Sequence, residues 1–238
     1  MAATGQLTKS PPRAGLRAVT LLRIALIVAA LVIWEGMARS GLLYRDVVPP
    51  LFKIATALVT LLSGGEYYFH LSVTIGEIAA ALAIGGGLGV VVGLVLGANR
   101  FLARAFEIYL YYLGPTPKII FFPVALSVAA GMREIDKVLI RVGRSFRADT
   151  RQMITKIYLP AMRHPIINGV RLGLGIALIG TLLAETKLSN KGIGFLIINA
   201  YSTFDMPRMY ANLIVLFVIA IGANALVGRL GGLHTIRR

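Results

Sequence analysis

Residues Ile78 to Asn99 read IAAALAIGGGLGVVVGLVLGAN, an uncharged run that reaches about the 20 residues a helix needs to cross a hydrocarbon core. Gly85, Gly89, Gly93 and Gly97 recur at every fourth position, a spacing that lets helix backbones approach closely in a membrane. The run therefore predicts a transmembrane helix packed tightly on a neighbour. Working outward, Met209 to Gly228 is a second uncharged run, and Gly169 and Gly173 repeat the small-residue spacing in a later one. Val19 to Met37 and Ile166 to Ala184 complete the set. Their charges, Arg23 and Glu35 in the first and Arg171 in the second, lie near one end, where a long side chain reaches the interface. The stretch Ala105 to Gly131 is also apolar, but Pro115, Pro117, Lys118 and Pro123 interrupt it, which argues against a straight helix.

Composition agrees with a membrane protein. Of 238 residues 57% are hydrophobic and only 15% charged, and the mean hydropathy is +0.77, far from a soluble globular domain. The formal net charge is +15, yet the cations cluster between apolar runs and do not line a soluble face, so the charge is a topology signal and not a nucleic-acid footprint. The chain has no cysteine, which excludes disulfides and thiolate chemistry. His70, His164 and His234 are scattered, with no metal-binding spacing, and neither a metal nor a cofactor is expected. Lys9, Arg13, Arg17 and Arg23 precede the first apolar run, which lacks a small-x-small cleavage site and so reads as an anchor.

Positive-inside counting orders the spans. With a cytoplasmic N-terminal tail (1–18), spans at about 19–38 and 72–99 return the chain to the cytoplasm at Arg100 and Arg104. The next polar segment, Met132 to Pro165, carries Arg133, Lys137, Arg141, Arg144, Arg147, Arg151, Lys156 and Arg163 and belongs on the same side. A single crossing by 105–131 would put it outside, and a double crossing needs about 40 residues where the run supplies only about 27. The charge count thus calls for a re-entrant or shortened hairpin at 105–131. Spans at 166–184 and 209–228 follow, with both termini cytoplasmic. The expected fold is an all-α polytopic transmembrane bundle of about five to six spans. The first six cations of the polar segment are spaced 4, 4, 3, 3 and 4 apart, so on one continuous helix they share a face.

That segment closes on Ile157-Tyr158-Leu159-Pro160. With this ending it resembles the cytoplasmic coupling loop of ATP-binding-cassette importer permeases. Leu183-Ala184-Glu185 with Ser189 and Gly192-Ile193-Gly194, Gly64-Gly65-Glu66 with His70-Leu71-Ser72, and Gly114-Pro115-Thr116-Pro117-Lys118 are similar to the nitrate, sulfonate and taurine branch, in the expected order. The resemblance implies a single permease domain over 19–238 with a coupling-helix loop at 132–165. It also implies a cytoplasmic ATPase subunit, an extracytoplasmic substrate-binding protein, membrane lipid and a second permease copy as partners. Arg144, Phe146, Arg147, Asp149, Thr150, Arg151, Met153 and Lys156 are the expected coupling residues, with Pro160 ending the lever. Thr116, Asn168, Thr181 and Glu185, polar groups near membrane depth, are the candidates for a translocation path.

Two departures from the family pattern stand out. Arg147 occupies the position where the pattern has glycine, and Arg141-Val142-Gly143 replaces its Glu-Ala-Ala. Phe121-Phe122-Pro123 joins the start of the third-to-fourth-span region to its end roughly twenty residues early, the same shortage that the charge count finds. No G-x-x-x-x-G-K-[ST] occurs, so a partner must supply nucleotide energy. A membrane enzyme would need a paired acid/base or metal constellation, which the dispersed carboxylates do not offer. A channel or a lipid-binding anchor would work without an ATPase.

Overall fold

The computed structural model describes residues 13–40, 47–99, 101–106 and 121–230. Its elements are α1 (Arg13–Arg39), α2 (Leu51–Ser63), α3 (Gly65–Ala98), α4 (Phe121–Glu134), α5 (Lys137–Ser145), α6 (Thr150–Gln152), a π-helical turn (Met153–Tyr158), α7 (Leu159–Ala161), α8 (Arg163–Leu188), α9 (Ile193–Ser202) and α10 (Met206–Leu230). The described residues contain no strand. Four stretches among them are long and apolar enough to cross a membrane: Val19–Arg39, Gly65–Ala98, Arg163–Leu188 and Met206–Arg229. Each runs past the span read from the uncharged core of the sequence, because polar residues at the ends continue the helix into the interface.

The glycine repeat explains the tightest packing. A Cβ placed on Gly89 would lie 2.6 Å from Val124 Cβ, one on Gly93 2.6 Å from Val128 Cβ, and one on Gly97 2.5 Å from Met132 Cβ. The pairs advance by four residues on both helices and in the same direction, so α3 and α4 run parallel. Their shared end therefore delivers residue 135 to the side where α3 stops. α4 has 14 residues, about 21 Å of helix, and begins beside Gly89, roughly 12 Å deeper than Gly97. The end of α4 therefore lies beside the end of α3, close to Arg104. Pro123 sits in the first turn of α4, where its missing N–H leaves no broken bond.

α8 runs antiparallel to both. Gly131 abuts Pro165, Gly169 abuts Val124 and Ser127, and the Ser127 hydroxyl donates to the Pro165 carbonyl at 2.6 Å. Three apolar clusters mark successive levels. Val124, Val128, Ile135 and Met162 pack at the loop end; Ile78, Leu174 and Ala177 pack in the middle; Tyr67, Ile193 and Leu216 pack at the far end. Near its C-terminus α1 leans on the rest of the bundle. There the Trp34 ring meets Tyr210 edge-on at 5.2 Å, and the Leu51 amide donates to the Glu35 carboxylate at 2.9 Å. Glu35 thus caps α2 from another helix, and Pro50, which holds the cap position, does not.

Candidate functional site

The basic segment is not one helix. Asp136 caps α5 by accepting from the Val138 amide at 2.8 Å, separating Arg133 on α4 from Lys137, Arg141 and Arg144 on α5. The chain then turns back. Arg147 sits in the turn at φ 49°, and the Ala148 amide closes it by donating to the Gly143 carbonyl at 3.0 Å. The second arm opens on a capping box in which the Gln152 amide donates to the Asp149 carboxylate at 2.6 Å and the Asp149 amide to the Gln152 side chain at 3.2 Å. Helix termination by these short polar side chains overrides the one-face spacing of the cations.

Both substituted positions of the coupling pattern, Arg147 and Gly143, have a place in this turn. Arg147 stands where a left-handed backbone favours glycine. Gly143 is buried where the arms touch: a Cβ there would lie 2.6 Å from Met153 Sδ and closer still to Ile157. Pro160 removes the N–H that would bond the Lys156 carbonyl, and the wide π turn over Met153–Tyr158 precedes it. Tyr158 and Met162 then pack into the cluster built on Val124 and Val128. The Ile-Tyr-Leu-Pro ending is thus a joint, with Ile157 facing the first arm and Tyr158 the transmembrane core.

Of the expected coupling residues, Arg144, Phe146, Arg147, Asp149, Thr150, Arg151, Lys156 and Pro160 are exposed. Phe146, at the tip, is 83% exposed, with Val138, Leu139 and Val142 about half exposed on the same arm. Met153 differs: it is buried against Gly143 and holds the arms together. The Asp149 carboxylate is engaged by its capping bond.

At the opposite end of the bundle, Glu185 on α8 is fully buried. One carboxylate oxygen accepts from the Thr74 hydroxyl at 2.6 Å and the other from the Gly194 amide at 2.6 Å. Thr74 in turn accepts from the Ile193 amide at 2.8 Å, and His70 Nδ1 accepts from the Gly192 amide at 3.1 Å. Three consecutive amides that open α9, which have no partner within the helix, are thereby satisfied from α3 and α8. Gly192 has φ 98°, and a Cβ there would collide with the Glu185 carboxyl. The His70 ring stacks on Phe195 at 6.1 Å.

The sequence motifs contain Glu185, His70 and Gly192-Ile193-Gly194 but not Thr74, whose hydroxyl joins Glu185 to the start of α9. The i, i+4 spacing of His70 and Thr74 was the available signal. Thr181, one turn before Glu185, lines an open cavity of about 570 Å³ between α3 and α8 with Glu77, Ala81, Ala177 and Lys187. Asn168 is exposed near the other end of α8, roughly 25 Å from Glu185 along the helix, so the path candidates form no single cluster. Thr116 lies outside the described residues. No group of metal-binding side chains occurs among the described residues.

Residues 48–232 match the family described as binding-protein-dependent transport system inner membrane component. The chain belongs to this family. It is 29% identical to a putative aliphatic sulfonates transport permease protein of Bacillus subtilis, over 84% of this chain and 80% of the relative. Identity to the taurine transport system permease protein of Escherichia coli is 28%, over 92% and 91%. A formylaminopyrimidine transport permease protein of Halalkalibacterium halodurans is 23% identical, over 84% and 89%.

The chain is accordingly the permease subunit of an ABC importer of the sulfonate and taurine type, a multi-pass inner-membrane protein whose family works with an ATPase and a substrate-binding protein. The first alignment runs over 227 positions, whereas 84% of 238 residues is about 200. The relative therefore carries some 27 positions with no counterpart here.

Proposed function

We propose that residues 132–165 are the cytoplasmic lever of this permease and that both chain termini lie on the same side. Parallel packing of α3 and α4 supports a lever on the side of Arg104, and the concentration of cations there supports a cytoplasmic location. The observation that carries the reading is the exposed tip: Phe146, bare on a rigid turn and flanked by Arg144, Arg147 and Arg151, offers an apolar anchor with a cationic rim. Lys156, Thr150 and Pro160 border the second arm, while Asp149 and Met153 hold its shape. Movement at the tip reaches the membrane through Ile157, Tyr158 and Met162, which join the lever to α3, α4 and α8.

A second copy of the chain completes the path. The cavity containing Thr181, Glu77 and Lys187 opens sideways between α3 and α8, and Gly76, Gly86, Gly87, Gly175 and Gly180 have open space where a Cβ would stand. Small residues facing nothing in their own chain suit close helix association. Asn168 lies on the same helix toward the cytoplasm, with Glu185 bracing the outer end. The substrate is a small solute of the nitrate, sulfonate or taurine kind or another small organic compound, a range that the sulfonate, taurine and formylaminopyrimidine relatives support. Coexpression with the cognate ATPase tests the coupling reading: the wild-type chain retains it through purification and Arg147→Glu does not. Retention unchanged by Arg147→Glu and by Phe146→Glu contradicts it.

A further inference from the structure

A concavity of about 450 Å³ opens where α3 and α4 end and α5 begins. Its floor is apolar, with Gly97, Met132 and Ile135, and its rim carries Arg104, Arg133 and Lys137. These cations come from three separate stretches: Arg104 from the helical residues 101–106, Arg133 from the last turn of α4 and Lys137 from the first position of α5. None of the three makes an ion pair among the described residues. The neighbouring acids do not cancel them: Glu134 and Asp136 do not line the concavity, and Asp136 is occupied in capping α5. Arg133 in the last turn of α4 complements that helix's dipole, whereas Lys137 at the N-terminus of α5 does not. Three converging on one apolar-floored hollow make a seat for a compact anion.

The level of the hollow identifies the anion. Gly97 and Ala98 close the apolar span Gly65–Ala98, so the rim lies at the depth of lipid headgroups and the floor faces the acyl boundary. We propose that Arg104, Arg133 and Lys137 bind the phosphate of an anionic phospholipid. Basic pockets between transmembrane helices at this level take such headgroups. The lipid ties the root of the lever, where α4 passes into α5, to the membrane surface. The inference rests on the proposed cytoplasmic orientation only for the leaflet concerned. Lipid retention is read without the ATPase, so failure here is distinguishable from failure of the coupling reading.

The test is native mass spectrometry of the full chain in detergent, titrated with phosphatidylglycerol or phosphatidylcholine. The wild-type chain binds its first phosphatidylglycerol in preference to phosphatidylcholine. Each of Arg104→Gln, Arg133→Gln and Lys137→Gln weakens that preference about fivefold, and the triple variant abolishes it. A control triple with the same charge change, Arg144→Gln with Arg151→Gln and Lys156→Gln, keeps it. Equal loss in both triples means diffuse charge attraction and overturns the proposal, as does an undiminished preference in the first triple. Displacement of phosphatidylglycerol by excess inorganic phosphate means a soluble-anion seat and also overturns it. Helical circular dichroism checks the fold, and the three single variants carry the test if the triple does not fold.

Discussion

Arg147 holds a left-handed backbone that costs a residue with a Cβ about 1 kcal/mol relative to glycine. Arg147→Gly is therefore expected to tighten the turn, slowing amide exchange across residues 143–153 about fivefold. Arg147→Ala, which removes the charge and keeps the strain, should not slow it. Equal exchange in the glycine and alanine variants would contradict the strained-turn account. At the other end, Glu185→Ala leaves the Thr74 hydroxyl and the Gly194 amide without their acceptor in a buried site, a loss of roughly 2–4 kcal/mol. The thermal midpoint in detergent should fall clearly. Glu185→Gln, which keeps one acceptor oxygen, should fall less. The polar character of Glu185 at membrane depth was legible from the sequence. Its partnership was not, since Thr74 and Ile193 lie 111 and 119 positions away along the chain from the groups they bond.

Between elements, the α3–α4 contact admits no side chain at three successive levels. Gly93→Ala forces Val128 or the helix itself to move and is expected to cost about 1–3 kcal/mol, read as a lower thermal midpoint. Gly87→Ala on the same helix, with open space at its Cβ, should change little in the isolated chain. The glycine repeat was readable because one contact recurs with the period of the helix. The lever was only half readable. Cation spacing implied one helix, but Asp136 and the Asp149–Gln152 pair are helix-start signals that lay in the sequence, and local capping decided the break. The charge count called for a re-entrant or shortened hairpin over 105–131 but gave no direction for α4, which only the register of its contacts with Gly89, Gly93 and Gly97 reveals.

Across the whole molecule, two polar assemblies sit at opposite ends of an apolar bundle, and side-chain packing links them. Glu185 fixes α9 to α3 and α8, while Tyr158 and Met162 fix the lever to α3, α4 and α8. In the proposed coupling, motion of the basic segment bears on the helices that carry the Glu185 brace. Phe146, in that proposed coupling, sits on the cytoplasmic face and meets the ATPase. The chain has no cysteine, so Phe146→Cys supplies a single thiol at an 83% exposed position. A membrane-impermeant maleimide should label it in inside-out vesicles but not in intact cells, and coexpressed ATPase should block the labelling. Labelling from outside intact cells, or labelling in inside-out vesicles that retained ATPase leaves unchanged, would contradict the account.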